Sequence, residues 1–389
     1  MAAQPACCQR AAPETTLGGD VASGLERLGS AVAVSPGLVV VGAPGFGDQG
    51  IDAGGVLVYR IDRASNRWIP DPWRVVPGAQ EGSGFGAAIA TDGAVAAAGS
   101  SGAGTVALFD LAAVAGVSPD DPPDDPIILL GGPDFGRSLS IDGATLTVGE
   151  PQRSGQPGPG RVVVFERDET SAWVETQQIT VDSLPINAGF GSAVDLRGDR
   201  LLVGAPNADG TGRAFLFRRA HPGSPWTLAA GIAPTDLAPG DQFGASVALG
   251  ERELVVGAPG SDRILSNAGV TYIVPVDVPA ESLGVPQRLE LPEPAVNALF
   301  GSAVDARGDL LAVGAPLDDG FAGSAWIFRR RADETFQTAQ RLAPEPAEPF
   351  AGMGSAVAVG SEFIAAGAPR LDASPLQPDA GAVALASTL

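Results

Sequence analysis

The sequence predicts an all-β protein, a seven-bladed β-propeller of four-stranded antiparallel blades, and three observations carry that prediction. A first marker glycine recurs at Gly29, Gly86, Gly136, Gly191, Gly244, Gly301 and Gly354, and a second at Gly42, Gly99, Gly149, Gly204, Gly257, Gly314 and Gly367. The two are 13 residues apart in all seven copies, and the units recur every 50 to 57 residues. Each unit also holds three or four short apolar runs broken by turn residues, which is the text of an antiparallel meander. One twisted four-stranded sheet cannot bury both faces alone, so units of this length stack around an axis.

The elements follow in order. Between the two glycines, two short runs flank a tight turn, as in SLSI, Asp142-Gly143, ATLTV, and an invariant spacing there means an invariant β-hairpin. The first run is rich in Gly, Ser and Ala, as at Gly191-Ser192-Ala193, which suits the crowded strand nearest the axis. Leu28, Phe85, Phe135, Phe190, Phe243, Phe300 and Met353 precede the first marker, and these large apolar side chains fit the wedge between neighbouring blades. A third run ends at Tyr59, Phe109, Phe165, Phe217, Val274, Phe328 and Ala386, and a fourth opens at Trp73, Trp173, Trp226 and Phe336. Blades therefore start near 28, 85, 135, 190, 243, 300 and 353.

The last copy stops after its third strand, which leaves an edge to be closed. Gln9-Arg10-Ala11-Ala12-Pro13-Glu14 repeats the fourth-strand text Gln340-Arg341-Leu342-Ala343-Pro344-Glu345. Residues 9–14 are thus expected to pair with the third strand of the last blade, with 1–8 a flexible tail and 9–389 one propeller domain.

Composition narrows the function. Of 389 residues 44% are hydrophobic, and no apolar run reaches the ~18 residues that span a bilayer, so a soluble globular chain without membrane insertion is expected. A net charge of −21 repels phosphate backbones, which argues against nucleic acid as a partner. All 24 basic residues are Arg, which removes Schiff-base chemistry and the phosphate-loop Lys. The 2 Cys are neighbours, Cys7 and Cys8, read as free thiols in a tail, and with the 1 His, His221, they fall short of a structural zinc site. The opening MAAQPACCQR lacks an apolar signal core. His221 lies in a turn-like AHPGSPW segment with no predicted catalytic partner, and Asp120–Asp125 reads as a solvated acidic loop.

The Phe-Gly and Gly-Ala-Pro markers framing each hairpin make the chain resemble the FG-GAP repeat family, whose members include the heads of integrin α subunits. Phe-Gly stands at five of the seven first markers and Gly-Ala-Pro at five of the seven second ones. The resemblance covers residues 9–389 and is closest to the short bacterial version of the repeat. It implies a non-catalytic, extracellular or cell-surface module for adhesion or recognition, binding protein or glycan as a monomer. The family's calcium-bearing repeats carry an EF-hand-like run in the first hairpin; the turns here, such as Asp92-Gly93 and Gly250-Glu251, gather no three carboxylates. No cofactor and no metal are therefore expected.

Candidate binding residues sit in the loops after the Gly-Ala-Pro triplets, which vary in length while the hairpins do not: Asp48, Asp52, Asp209, Arg263, Asp318, Asp319 and Asp372. Arg197-Gly198-Asp199 and Arg307-Gly308-Asp309 spell an integrin-recognised tripeptide, but both occupy the hairpin turn, and turn geometry explains them. Two alternatives stand beside the recognition module: a hydrolase or lyase on polysaccharide using Asp and Arg of the same loop face, and a structural spacer of a larger surface protein.

Overall fold

In blade 6, the 13-residue interval from Gly301 to Gly314 folds as a hairpin of Ala303–Arg307 and Leu310–Ala315, followed outward by Ser324–Arg330 and Phe336–Leu342. The computed structural model describes residues 10–11, 15–18, 26–47, 51–71, 81–111, 126–151, 158–277, 282–344, 348–372 and 379–388. Across them the same antiparallel order from axis to rim builds seven sheets, one per blade, in a ring. The chain is a seven-bladed β-propeller.

Physical necessity for the marker glycines lies at the blade boundaries. A Cβ on Gly314 would stand 1.9 Å from the carbonyl oxygen of Gly354, the first marker of the next blade, and one on Gly204 would stand 2.0 Å from that of Gly244. The same contact recurs between the other neighbouring blades, including Gly367 against Gly29, where the ring closes. Within a blade, Gly301 N donates to Gly314 O at 3.0 Å, so the two glycines are two ends of one hairpin bonded to each other. That bond fixes the interval at 13 residues. Phe190, Phe243 and Phe300, each 0% exposed, make parallel bridges to Gly160, Gly212 and Gly269 of the preceding blade. Their rings lie edge-on to aromatics of their own blade, as in Phe243–Tyr272 at 5.4 Å, so they fill the wedges as expected.

Two strand assignments differ from the sequence reading. The strand that completes the last blade is Thr15–Gly18, antiparallel to Ala382–Ser387, and not residues 9–14. Arg10–Ala11 instead pairs in parallel with Arg341 and Leu342, beyond the fourth strand of blade 6. The matching text at Gln340–Glu345 signalled a strand of the right composition, while Leu17 is the residue whose buried side chain, 5% exposed, packs into the closing blade. In blade 1 the fourth strand is Arg67–Pro70. The Trp73 run lies outside the described residues, as do residues 1–9, 12–14 and 112–125, and with them Cys7, Cys8 and Asp120–Asp125.

Candidate functional site

The ring has two unlike faces. Innermost strands run down to the short hairpin turns on one face. The loops after the Gly-Ala-Pro triplets, and the segments that lead into the next blade's first strand, share the other.

On the loop face, the described members of the predicted set do not gather into one site; each is held by a neighbour. Asp52 pairs with Arg27, Asp209 with Arg213 at 2.9 Å, and Arg263 with Asp236 at 3.4 Å. Asp372 Oδ1 accepts from the backbone N–H of Asp379 at 2.9 Å. Asp48 lies outside the described residues. Only Asp318 and Asp319 come together, around Arg341 at 3.0 and 3.5 Å. Asp318 is 5% exposed and also accepts from Ser324 Oγ at 2.6 Å, so its carboxylate anchors the loop from within. Arg341 lies over the Trp326 ring, 5.2 Å from its centroid.

The same loop raises an apolar feature that the sequence reading missed. Phe321 and Phe350 are 40% and 58% exposed and stack with ring centroids 5.5 Å apart and planes 8° from parallel. Phe350 N donates to Phe321 O at 2.9 Å, and the two residues have φ of 75° and 70°. Left-handed backbone at a bulky residue costs about 1–3 kcal/mol and persists only where the surroundings impose it. Ile51, Ile264, Leu265 and Val296 are also exposed on loops of this face. Ile186, on the segment leading into blade 4, is exposed on the same face, and among the described residues the other exposed large apolar side chains lie on outer strands or their edges, none on a first-hairpin turn.

On the hairpin face the axis opens into a cavity of about 640 Å³. Aliphatic side chains such as Val32, Ile89, Leu139 and Val357 line it, together with Asp195, Asp305, Arg197 and Arg307. Asp195 and Asp305 occupy one register, four residues after the first marker, where the other blades carry Ala33, Ala90, Ser140, Ala248 and Ala358. Asp195 Oδ1 accepts from Ser140 Oγ at 3.0 Å and Leu196 N at 2.9 Å, and its Oδ2 accepts from Leu249 N of the next blade at 2.6 Å. Asp305 Oδ2 accepts from Val359 N at 2.6 Å in the same way. Burial, and then the negative charge of Asp305, push the Asp195 carboxyl up to about 7. Burial likewise raises Asp305. The signal for this pair was in the sequence: two carboxylates in a register otherwise filled by Ala and Ser.

Other sequence motifs take structural roles. Gly198-Asp199 and Gly308-Asp309 form hairpin turns between Arg197↔Arg200 and Arg307↔Leu310. His221 is exposed, with Nδ1 2.9 Å from Ser224 Oγ inside one turn. Among the described residues no group of three or more His, Cys, Asp or Glu is placed to hold a metal ion, and no helix is long and apolar enough to cross a membrane.

Seven repeated hairpin blades with Phe-Gly and Gly-Ala-Pro at the blade boundaries define a repeat propeller. The FG-GAP repeat matches residues 173–217, 226–274 and 287–328, and the seven-bladed ring is consistent with the FG-GAP repeat family. Among solved structures it is similar to a protein from Lactobacillus plantarum, with a TM-score of 0.51 and 9% identity over 82% of this chain and 85% of that one, a likeness of fold alone. No curated protein matches the chain.

Proposed function

We propose that this chain is a non-catalytic recognition propeller that works outside the cell or at its surface and holds a protein partner on the loop face. The observation that carries the reading is the exposed stack of Phe321 on Phe350, held out of the core on left-handed backbone and accompanied by exposed Ile and Leu side chains on neighbouring loops. Exposed apolar side chains gathered on one face mark interaction surfaces, and aromatics dominate their energetics. Local pairing of the loop-face carboxylates with Arg supports binding over catalysis, because their oxygens are engaged by separate neighbours and do not converge on one reacting point. A glycan partner is the second reading, favoured by the flat aromatic pair.

Arrays of proteins and of glycans, probed with the whole chain, test both. Bound partners should be lost by the double variant Phe321→Ser, Phe350→Ser and retained by Asp92→Ala on the opposite face. Equal binding by all three proteins refutes the assignment of the face, and turnover of a polysaccharide would favour the enzyme reading.

A further inference from the structure

The repeats of blades 4 and 6 share a text the other five lack: Gly191-Ser-Ala-Val-Asp195-Leu-Arg197 and Gly301-Ser-Ala-Val-Asp305-Ala-Arg307. Side chains two apart on a strand share a face, so each blade sends an Asp and, about 7 Å further along, an Arg toward the same space. Both pairs line the axial cavity. Its volume of about 640 Å³ falls in the range of small-molecule sites, and a few charged side chains converge on it.

The charges are not equally engaged. Arg197 donates to Leu249 O at 3.2 Å and to Glu251 at 3.1 Å, and Asp142 accepts from Gly198 N at 2.6 Å. Asp92 accepts from Ala94 N and Val95 N within its own turn. Arg307 is exposed at the rim and, among the described residues, has no hydrogen-bond or ion-pair partner. Deeper in, Asp195 and Asp305 are each bonded to backbone N–H groups and, among the described residues, make no direct ion pair; the Asp305 charge acts on Asp195, while the more distant charges of Arg307 and Arg197 act on Asp305. The cavity therefore offers a floor of two carboxyl groups with no direct ion pair and, at its rim, a guanidinium with no hydrogen-bond partner among the described residues.

We infer that the axial cavity binds a small zwitterion, with its ammonium group between Asp195 and Asp305 and its carboxylate on Arg307. An ammonium supplies up to three N–H donors to carboxylate lone pairs that the backbone leaves open. The guanidinium of Arg307 receives a carboxylate in its bidentate geometry. A divalent metal fits less well, since calcium takes six to eight oxygens and the described residues gather no three metal-ligating side chains here. This site is on the opposite face from the proposed partner surface and stands independently of it.

Isothermal titration of the whole chain with 4-aminobutanoate, butylammonium, butanoate and calcium chloride tests the inference. 4-Aminobutanoate should bind at one saturable site, more tightly than either single-charge analogue. Arg307→Gln, a rim change that leaves the buried strand intact, should weaken 4-aminobutanoate about tenfold or more and leave butylammonium unchanged. Asp305→Asn should weaken both. No saturable binding by about 10 mM overturns the proposal, as does full affinity in Arg307→Gln. Calcium binding lost in Asp305→Asn, without binding of 4-aminobutanoate, reassigns the cavity to a metal.

Discussion

Replacing Asp195 by Asn separates the charge of the axial carboxylate from its shape. The carboxyl titrates near 3.8 when free and at about 7 in the ring, raised by burial first and by Asp305 second. A raised folded-state value means that the native chain holds the proton more tightly than the unfolded one. The stability this gives is fully present below about pH 4 and is lost as pH rises through about 7. Some three pKa units correspond to about 4 kcal/mol, which screening by lumen water lowers to roughly 2–4 kcal/mol. The amide of Asn carries no charge, and it also gives up one of the acceptors now facing Leu249 N, Leu196 N and Ser140 Oγ, at about 1 kcal/mol independent of pH. Urea unfolding at constant ionic strength from pH 4 to 8 should therefore find the variant slightly weaker than the parent at the acid end and stronger at the alkaline end. A difference between the two proteins that stays constant over this range, or grows against the variant as pH rises, refutes the reasoning.

Gly314→Ala places a methyl 1.9 Å from Gly354 O and must part blades 6 and 7, so a loss of about 3 kcal/mol or more, or failure to fold, is expected in thermal unfolding. Gly308→Ala, in a turn with open space around it but φ of 59°, should cost only about 1 kcal/mol in the same assay. Leu17→Ala in the closing strand should lower stability by about 2–3 kcal/mol. Removing residues 10–18 should expose the edge of Ala382–Ser387 and produce oligomers in light scattering. Chelator should shift the melting midpoint by less than about 1 °C; a larger drop would mean that the loop-face Asp residues hold an ion.

The architecture is legible in the residue order. Gly42 and Gly29 and their six counterparts are required by backbone against backbone, a contact no side chain can enter, so the demand recurs unchanged in every blade and is visible as a 13-residue interval. The wedge-filling Phe190, Phe243 and Phe300 are legible for the same reason: one local packing problem is solved repeatedly. Tertiary structure alone decided what depends on the angle between blades. Residues 9–14 carry fourth-strand text, yet Thr15–Gly18 reaches the last blade, because the edge that a strand meets depends on where the chain crosses the ring closure and not on its composition. Asp318 looks like a loop carboxylate free for a ligand until Arg341 and Ser324 from the same blade close on it. Asp195 and Asp305 sit in separate repeats, unremarkable one at a time, and only the closed ring turns both toward one axis, where burial and mutual repulsion change their chemistry.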